Sequence, residues 1–284
     1  MAENSPSSYP LPPMQVAPPV SAWWLTLSRQ TPAFLLPIGT AFLFLVGWQA
    51  IAVYGGISPA VLPPPTMILE QLRDNFPLIM SHSYPTTIET LVAFLISIPL
   101  GIALAALLVY STLAQQALYP NIIFFQLIPK IALAPLFIVW LGVGSKSCIV
   151  VAIFIAFFPV VVSTATGLVS AKPEVLLLCR SLTASEWQMF RMARFPYAMP
   201  FVFAGMKVGV TMAMIGVIVG EFITAQAGLG YIIMFASSAG ETATVLAAIV
   251  LLCGIGLALY GIVALGELAV QRWYGGEMPI GGVV

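Results

Sequence analysis

Long runs of apolar residues, each about the length needed to cross a bilayer, dominate the chain between residues 33 and 270. A helix that spans the hydrocarbon core needs about 20 mostly apolar residues, and helix tilt accommodates somewhat longer runs. Six runs meet this requirement, at about 33–54, 84–110, 117–141, 147–168, 197–222 and 243–270. The pattern predicts an all-α membrane protein with about six transmembrane helices.

The third run is the least regular of the six, because Pro120, Pro129 and Pro135 interrupt it. A proline inside a helix removes a backbone donor and frees a carbonyl group. Spanning helices tolerate such breaks only where protein or a cavity satisfies the freed groups. We therefore expect this helix to face the interior of the protein.

The segments outside the runs define the remaining organisation. Residues 1–30 are rich in proline and serine and lack the basic start and cleavage site of a signal peptide, so we expect a disordered cytoplasmic tail. Residues 31–272 form the predicted transmembrane domain, and residues 273–284 form a second cytoplasmic tail. Between the fourth and fifth runs, residues 173–196 have the composition of an amphipathic helical hairpin.

The composition fits lipid as the solvent. Hydrophobic residues make up 60% of the chain and charged residues only 7%, whereas about 25% is usual in soluble domains. The net charge of +0 gives no sign of a nucleic-acid partner. Three cysteines without CxxC spacing and a lone histidine, His82, predict neither a disulfide framework nor a metal site.

The basic residues predict the orientation of the spans. Six spans place both termini on one side of the membrane, and cytoplasmic loops carry an excess of lysine and arginine. The side with the termini carries six basic residues, which are Arg29, Lys172, Arg180, Arg191, Arg194 and Arg272. The opposite side carries Arg73 and Lys146. This bias predicts cytoplasmic termini and a cytoplasmic hairpin at 173–196.

Composition alone leaves two interpretations of the hairpin open. It is either a surface loop that rests on the lipid headgroups or a docking element for a cytoplasmic partner. Its second short helix has three candidate capping residues in Ser181, Thr183 and Ser185.

Charged residues within the predicted spans are the main candidates for function, because a charge at the bilayer centre costs about 2.5–3.5 kcal/mol. Lys130 and Lys207 fall near mid-depth, and Glu221 lies nearer the outer end of its span. Either Lys130 or Lys207 pairs with Glu221 and fixes helix register, or the three residues form a polar patch along a solute path. Both interpretations remain open.

The fifth run contains two pairs of glycines spaced four apart, Gly205 with Gly209 and Gly216 with Gly220. This spacing lets helix backbones approach closely. The glycines serve either packing within one chain or a seam between two subunits.

The hairpin resembles the cytoplasmic coupling loop of ABC importer permeases. The family pattern is Glu-Ala-Ala, three residues, Gly, nine residues, Ile, any residue and Leu-Pro. The spacing is kept here, with Leu177-Leu178-Cys179 at the first position, Thr183 in place of the glycine, and Pro196 matching. Ala193 and Phe195 replace the isoleucine and the leucine.

The flanking segments resemble the nitrate/sulfonate/taurine-type permeases of the same family over roughly residues 45–270. The matching stretches are Ile128 to Phe137, Val219-Gly220-Glu221-Phe222 and Ala227 to Tyr231. The sequence from Pro129 to Pro135, Pro-Lys-Ile-Ala-Leu-Ala-Pro, is most similar to that of the branch associated with thiamine-precursor pyrimidines and riboflavin.

The resemblance implies a type I importer fold and the transmembrane subunit of an ATP-driven importer that moves a small solute by alternating access. The solute would be a pyrimidine or thiamine precursor, riboflavin, or a nitrate-, sulfonate- or taurine-like anion. The implied partners are two ABC ATPase subunits, a second copy of the permease, and a periplasmic solute-binding protein. The resemblance also implies that the chain lies in the inner membrane and holds no cofactor.

The residues implied in ATPase coupling are Leu177, Leu178, Cys179, Thr183, Ala184, Ser185, Trp187, Arg191 and Pro196. The pathway candidates are Lys130, Lys207 and Glu221, and no catalytic or metal-binding residue is expected. The segment from Gly142 to Ser147 lacks the GxxxxGK[ST] spacing of a phosphate loop, so ATP hydrolysis is expected on a separate subunit.

An ion-gradient-driven secondary transporter is the alternative, with Lys130 and Glu221 as a proton relay. Internal inverted repeats would favour it, and no clear repeat is visible in the sequence. An intramembrane enzyme lacks support, since neither HExxH nor GxSxG occurs.

Overall fold

The computed structural model of the chain describes residues 35–224 and 226–273, and these residues form helices and connecting turns without a strand. The helices in chain order are α1 Leu35–Tyr54, α2 Pro65–Asp74, α3 Phe76–Tyr110, α4 Thr112–Leu127, α5 Ala134–Leu141, α6 Ser145–Val169, α7 Pro173–Ser181, α8 Glu186–Thr224, α9 Leu229–Ser238 and α10 Thr242–Trp273. A 3-10 turn, Lys130–Leu133, precedes α5, and a π-helical turn, Phe190–Arg194, lies inside α8.

Five of these helices are long and apolar enough to cross a membrane, namely α1, α3, α6, α8 and α10, and the bent pair α4 and α5 makes a sixth. The prediction of about six spans is confirmed. Two helices extend well beyond their apolar runs, because α3 begins at Phe76 rather than near 84 and α8 begins at Glu186 rather than near 197. Apolar residues mark only the part of a helix that lipid surrounds, whereas backbone hydrogen bonding continues past it.

The chain divides into two compact units. The first ends at Ile51, and its described part is most of α1, a predominantly apolar helix of 20 residues. The second begins at Ala52 and contains α2 to α10. The predicted tail at 1–30 lies outside the described residues, and so does the chain after Trp273.

In the second unit, α6 packs along both α3 and α8. Small side chains fill these contacts, and the buried set includes Ala93, Ala152, Ala156 and Ala213. The four glycines of α8 all face α6: a Cβ atom built at Gly205, Gly209, Gly216 or Gly220 would lie 2.5–3.0 Å from α6 atoms. Packing within one chain, one of the two interpretations of the glycine spacing, is confirmed.

The third span is broken, as its prolines indicated. Helix α4 ends at Leu127, and the chain turns by 90° before α5 begins. The expectation that this span faces the protein interior is wrong within the single chain, since α4 buries only Ile122 and α5 only Ala134. The break needs little surrounding protein, because a local side chain satisfies one of the carbonyls that it frees.

Candidate functional site

Lys130 lies at the break of the third span, and its side chain satisfies one of the carbonyl groups that the break frees. In a continuous helix the Gln126 carbonyl would accept from the backbone N–H of residue 130. Here the Lys130 Nζ donates to that carbonyl instead, at 3.1 Å, so the side chain caps the carboxyl end of α4. The ammonium also lies 5.3 Å from the centroid of the Phe158 ring. Lys130 therefore has a structural role. Its ammonium group carries three N–H donors, and this hydrogen bond uses only one of them.

Lys207 of α8 forms an ion pair with Glu267 of α10, and its Nζ lies 5.9 Å from the centroid of the Tyr260 ring. This is the only salt bridge within residues 35–224 and 226–273. The predicted pairing of Lys130 or Lys207 with Glu221 is wrong. Glu267 is on the last span, 60 residues from Lys207, and sequence spacing alone gave no reason to join them.

Glu221 is 1% exposed and is held by hydrogen bonds from neutral groups rather than by a cation. Thr86 of α3 donates its hydroxyl to Oε1 at 2.6 Å, and the backbone N–H of Gly230 donates to Oε2 at 2.7 Å. The Thr86 oxygen in turn accepts from the N–H of Leu229 at 2.9 Å. Glu221 thereby fastens the start of α9 to α3 and α8.

His82 of α3 belongs to the same network. Its Nδ1 accepts from the N–H of Gly228 at 3.2 Å, and its ring stacks on Tyr231 with centroids 5.5 Å apart. Sequence reasoning missed Thr86 and His82, because a single polar residue in an apolar run does not reveal its partner. A search for polar residues one helical turn apart on α3 would have included them, together with pairs such as Ser83 and Thr87, since residues four apart share a face.

The hairpin at 173–196 begins with α7, which starts at Pro173 and has Glu174 in its first turn and Arg180 in its last turn. Proline suits the first helical position, and these charges complement the helix dipole. Helix α7 ends in a Schellman motif, in which the Ala184 N–H donates to the Cys179 carbonyl and the Thr183 N–H to the Arg180 carbonyl, both at 3.0 Å.

Thr183 occupies the left-handed position of this motif, with φ 55°. The family pattern has glycine at this position, and the geometry explains why, because a β-branched residue is strained there.

We expect Thr183→Gly to stabilise the protein by up to about 1 kcal/mol, since left-handed backbone costs roughly 1–2 kcal/mol and glycine's extra unfolded-state entropy offsets part of the gain. Thermal unfolding in detergent is the measurement, and Thr183→Val is the control that keeps the branch. A lower melting temperature for the glycine variant would contradict this assignment.

Ser185 begins the second helix of the hairpin with a capping box. Its hydroxyl accepts from the Gln188 N–H at 3.3 Å, and its own N–H donates to the Gln188 side chain at 2.7 Å. Of the three candidate caps, Ser185 is confirmed. The second helix is not a separate short element, because it continues through the π-helical turn into the fifth span as α8.

The predicted coupling residues lie together on this hairpin but differ in exposure. Leu177 is 63% exposed and Trp187 is 68% exposed, and Leu178, Thr183, Ser185 and Arg191 are also exposed. Cys179, Ala184 and Pro196 are half-buried. The hairpin thus presents an apolar outer face, formed by Leu177, Leu178, Leu182 and Trp187, among charged neighbours.

These features define a multi-span α-helical membrane protein with an exposed hairpin between its fourth and fifth spans. Residues 97–271, which are 175 of the 284, match the family described as "Binding-protein-dependent transport system inner membrane component". The chain belongs to this family of multi-pass inner-membrane transport subunits.

Relatives that are named as transport permease proteins agree with this family membership. The riboflavin transport system permease protein RibX of Chloroflexus aurantiacus is 32% identical over 266 residues, covering 93% of this chain and 97% of that protein. The formylaminopyrimidine transport permease protein ThiX of Halalkalibacterium halodurans is 33% identical over 190 residues, covering 66% of this chain and 76% of that protein.

The fold is also similar to a solved structure. A chain of the MetNI methionine ABC transporter, in an inward-facing conformation, matches with a TM-score of 0.62 at 18% identity and covers 69% of this chain and 97% of that chain. The predicted ABC importer permease fold and the role as a transport subunit of an ATP-driven importer are confirmed. The secondary-transporter alternative receives no support from these relatives.

Proposed function

We propose that this chain acts as a pair with a second copy of itself, takes its solute from a periplasmic solute-binding protein, and docks two separate ATPase subunits through the 173–196 hairpin. The observation that carries the proposal is the apolar outer face of the hairpin. Large apolar side chains exposed among charged residues are typical of a docking surface. The family membership supports the need for such partners.

The proposed orientation places both termini and the hairpin in the cytoplasm. Lys172, Arg180 and Arg191 are exposed around the hairpin and supply the positive charge that cytoplasmic loops carry. ATP hydrolysis then takes place on the separate subunit, and closure of that subunit moves the hairpin. We propose no cofactor for this chain.

We expect Leu178→Glu to abolish ATPase docking, because it places a charge among the exposed side chains of the apolar outer face. The complex is purified in mild detergent through a tag on the permease, and the copurified ATPase subunit and its activity are measured. Recovery should fall at least tenfold, which corresponds to a loss of about 1.4 kcal/mol or more.

Val143→Glu is the matched control, since Val143 is also exposed but lies in the turn at the opposite end of α6 from the hairpin. It should leave ATPase recovery unchanged. A wild-type chain that purifies alone and transports solute in liposomes on a proton gradient would reject the proposal.

For the solute, we propose a planar nitrogen heterocycle, such as a flavin or an aminopyrimidine. The names of two relatives support this class. Lys130 is the residue that we propose for the pathway, because its ammonium lies over an aromatic ring and has donors beyond the one that caps α4. Lys207 and Glu221 are satisfied by Glu267 and by Thr86 with Gly230, so we propose structural roles for them.

We expect Lys130→Met to lower uptake about tenfold, because the pathway loses a cation whose interaction with an aromatic group is worth roughly 1–2 kcal/mol. The purified solute-binding protein is first titrated with riboflavin, formylaminopyrimidine and taurine to identify the compound for the uptake assay. Lys130→Arg is the control that keeps the charge. Unchanged uptake together with lowered thermal stability would leave Lys130 only its capping role.

A further inference from the structure

A π-helical turn, Phe190–Arg194, separates the docking part of the hairpin from the membrane-spanning part of α8. Within it, the Phe195 N–H donates to the Phe190 carbonyl, five residues back rather than four. Such a turn inserts one extra residue and breaks the regular succession of helical hydrogen bonds. Isolated π-helical turns are frequent at functional sites. Movement of the part of the hairpin that begins α8 passes through this turn to reach the fifth span.

The turn is also attached to another helix through Tyr110, the last residue of α3. The Tyr110 ring meets the Phe190 ring edge-on, with centroids 5.9 Å apart. The guanidinium of Arg194 lies 5.4 Å from the centroid of the Tyr110 ring. Phe190 in turn stacks on Trp187, at 5.5 Å, so an aromatic series runs from the outer face of the hairpin to the end of the second span.

Arg194 strengthens the attachment. Its Nε is buried and, among the described residues, has no hydrogen-bond partner. The Tyr110 ring is an electrostatic partner for this partly buried cation. The contact between the guanidinium and the ring favours their staying together, so Tyr110 and the π-helical turn are expected to move together.

Tyr110 stands at the corner between the second and third spans. Ser111 follows it directly and caps α4 by accepting from the Ala114 N–H at 3.1 Å. Helix α4 buries a single residue, Ile122, and is therefore weakly held by the rest of the chain. Its far end leads to the break at Lys130. A displacement of Tyr110 is consequently transmitted to a helix that little else restrains.

From this geometry we infer that Tyr110 is a positioning residue that transmits hairpin movement to α4 and so to the broken third span. The inference rests on the proposed function, because it requires the hairpin to dock an ATPase subunit. It adds a second route for movement beside the direct continuation into α8. Movement of α8 can reach α5 directly, because Met212 and Val219 of α8 pack with Phe137 of α5. The Tyr110 contact is the link that would carry hairpin movement to α4, the other half of the third span.

The test uses the complete complex in lipid nanodiscs and needs no solute. A spin label is placed at Leu127, the exposed last residue of α4, through a ketone-bearing amino acid that leaves the native cysteines unchanged. A second preparation carries the label at Leu257, which is exposed on α10, as a reference. Mobility of the label and its accessibility to a water-soluble relaxation agent are measured without nucleotide and after trapping with ATP and vanadate.

In the parent complex, trapping should change the signal at Leu127. Tyr110→Ala should remove at least half of that change while vanadate trapping and ATPase activity persist, and Tyr110→Phe should preserve it because the ring remains. Tyr84→Ala is the matched control, since Tyr84 is an exposed tyrosine on the same helix. If Tyr110→Ala impairs assembly, Arg194→Met replaces it, because this variant removes the cation and leaves the ring.

Three outcomes separate the inference from the proposed function. A change at Leu127 that survives Tyr110→Ala, or Arg194→Met where that variant replaces it, overturns the inference and leaves docking intact. A parent complex that traps ATP without any change at Leu127 also overturns it. A chain that binds no ATPase subunit at all rejects the proposed function itself.

Discussion

Replacing Gly228 by alanine is expected to destabilise the protein by about 3 kcal/mol or more. Gly228 precedes α9 with φ 103° and ψ 171°, a backbone conformation that is essentially confined to glycine. A Cβ atom there would also overlap the Glu221 carboxyl group. Because Glu221 fastens α9 to α3 and α8, the substitution disturbs the whole network with Thr86 and His82. The apparent melting temperature in detergent should fall by roughly 10 °C.

The matched control for this substitution is Gly254→Ala on α10. A Cβ atom at Gly254 meets nothing within 4 Å, and alanine is the better helix former, so no destabilisation is expected. Glu221→Gln is a second variant for comparison, because its amide keeps an oxygen that can accept from the Gly230 N–H. A Gly228→Ala chain as stable as the wild type would mean that the network does not hold α9.

The spans could be predicted from sequence because lipid imposes a length and a composition on every helix that crosses it. A close helix approach at Gly205 and Gly216 could also be predicted, since four-residue spacing places small residues on one helix face, but α6 as the partner could not. The helix ends could not, because α8 continues as far as Glu186 through a segment that is not apolar. Such a continuation depends on backbone hydrogen bonds and the Ser185 cap rather than on hydrophobicity.

The candidate site was predictable in position but not in its contacts. The family spacing located the hairpin, and the strain at Thr183 follows from the glycine that the pattern has there. Pairings between distant segments could not be derived from one sequence, because composition alone does not show which lysine meets which carboxylate. Lys207 and Glu267 illustrate this, and so does Glu221, whose partners are a hydroxyl group and backbone N–H groups.

The second large effect on stability is expected at the ion pair between Lys207 and Glu267. We expect Lys207→Met to destabilise the protein by on the order of 2–3 kcal/mol, because it leaves the Glu267 carboxylate without its cation at the contact between α8 and α10. The pair is partly buried, with the Lys207 and Glu267 side chains 23% and 16% exposed, and the removal of one partner from such a pair is more damaging than the removal of both. The apparent melting temperature should fall by roughly 5–10 °C. Lys146→Met, at an exposed lysine in the first turn of α6, is the control and should have little effect.

The double variant Lys207→Met with Glu267→Gln decides whether the pair acts as a unit. Once both charges are removed, no unpaired carboxylate remains, so most of the stability lost in Lys207→Met should return. The coupling between the two substitutions, measured as a double-mutant cycle of melting temperatures, should therefore be clearly non-additive. Additive effects would show that Lys207 stabilises the protein through the Tyr260 ring or another contact, and that Glu267 does not need its positive partner.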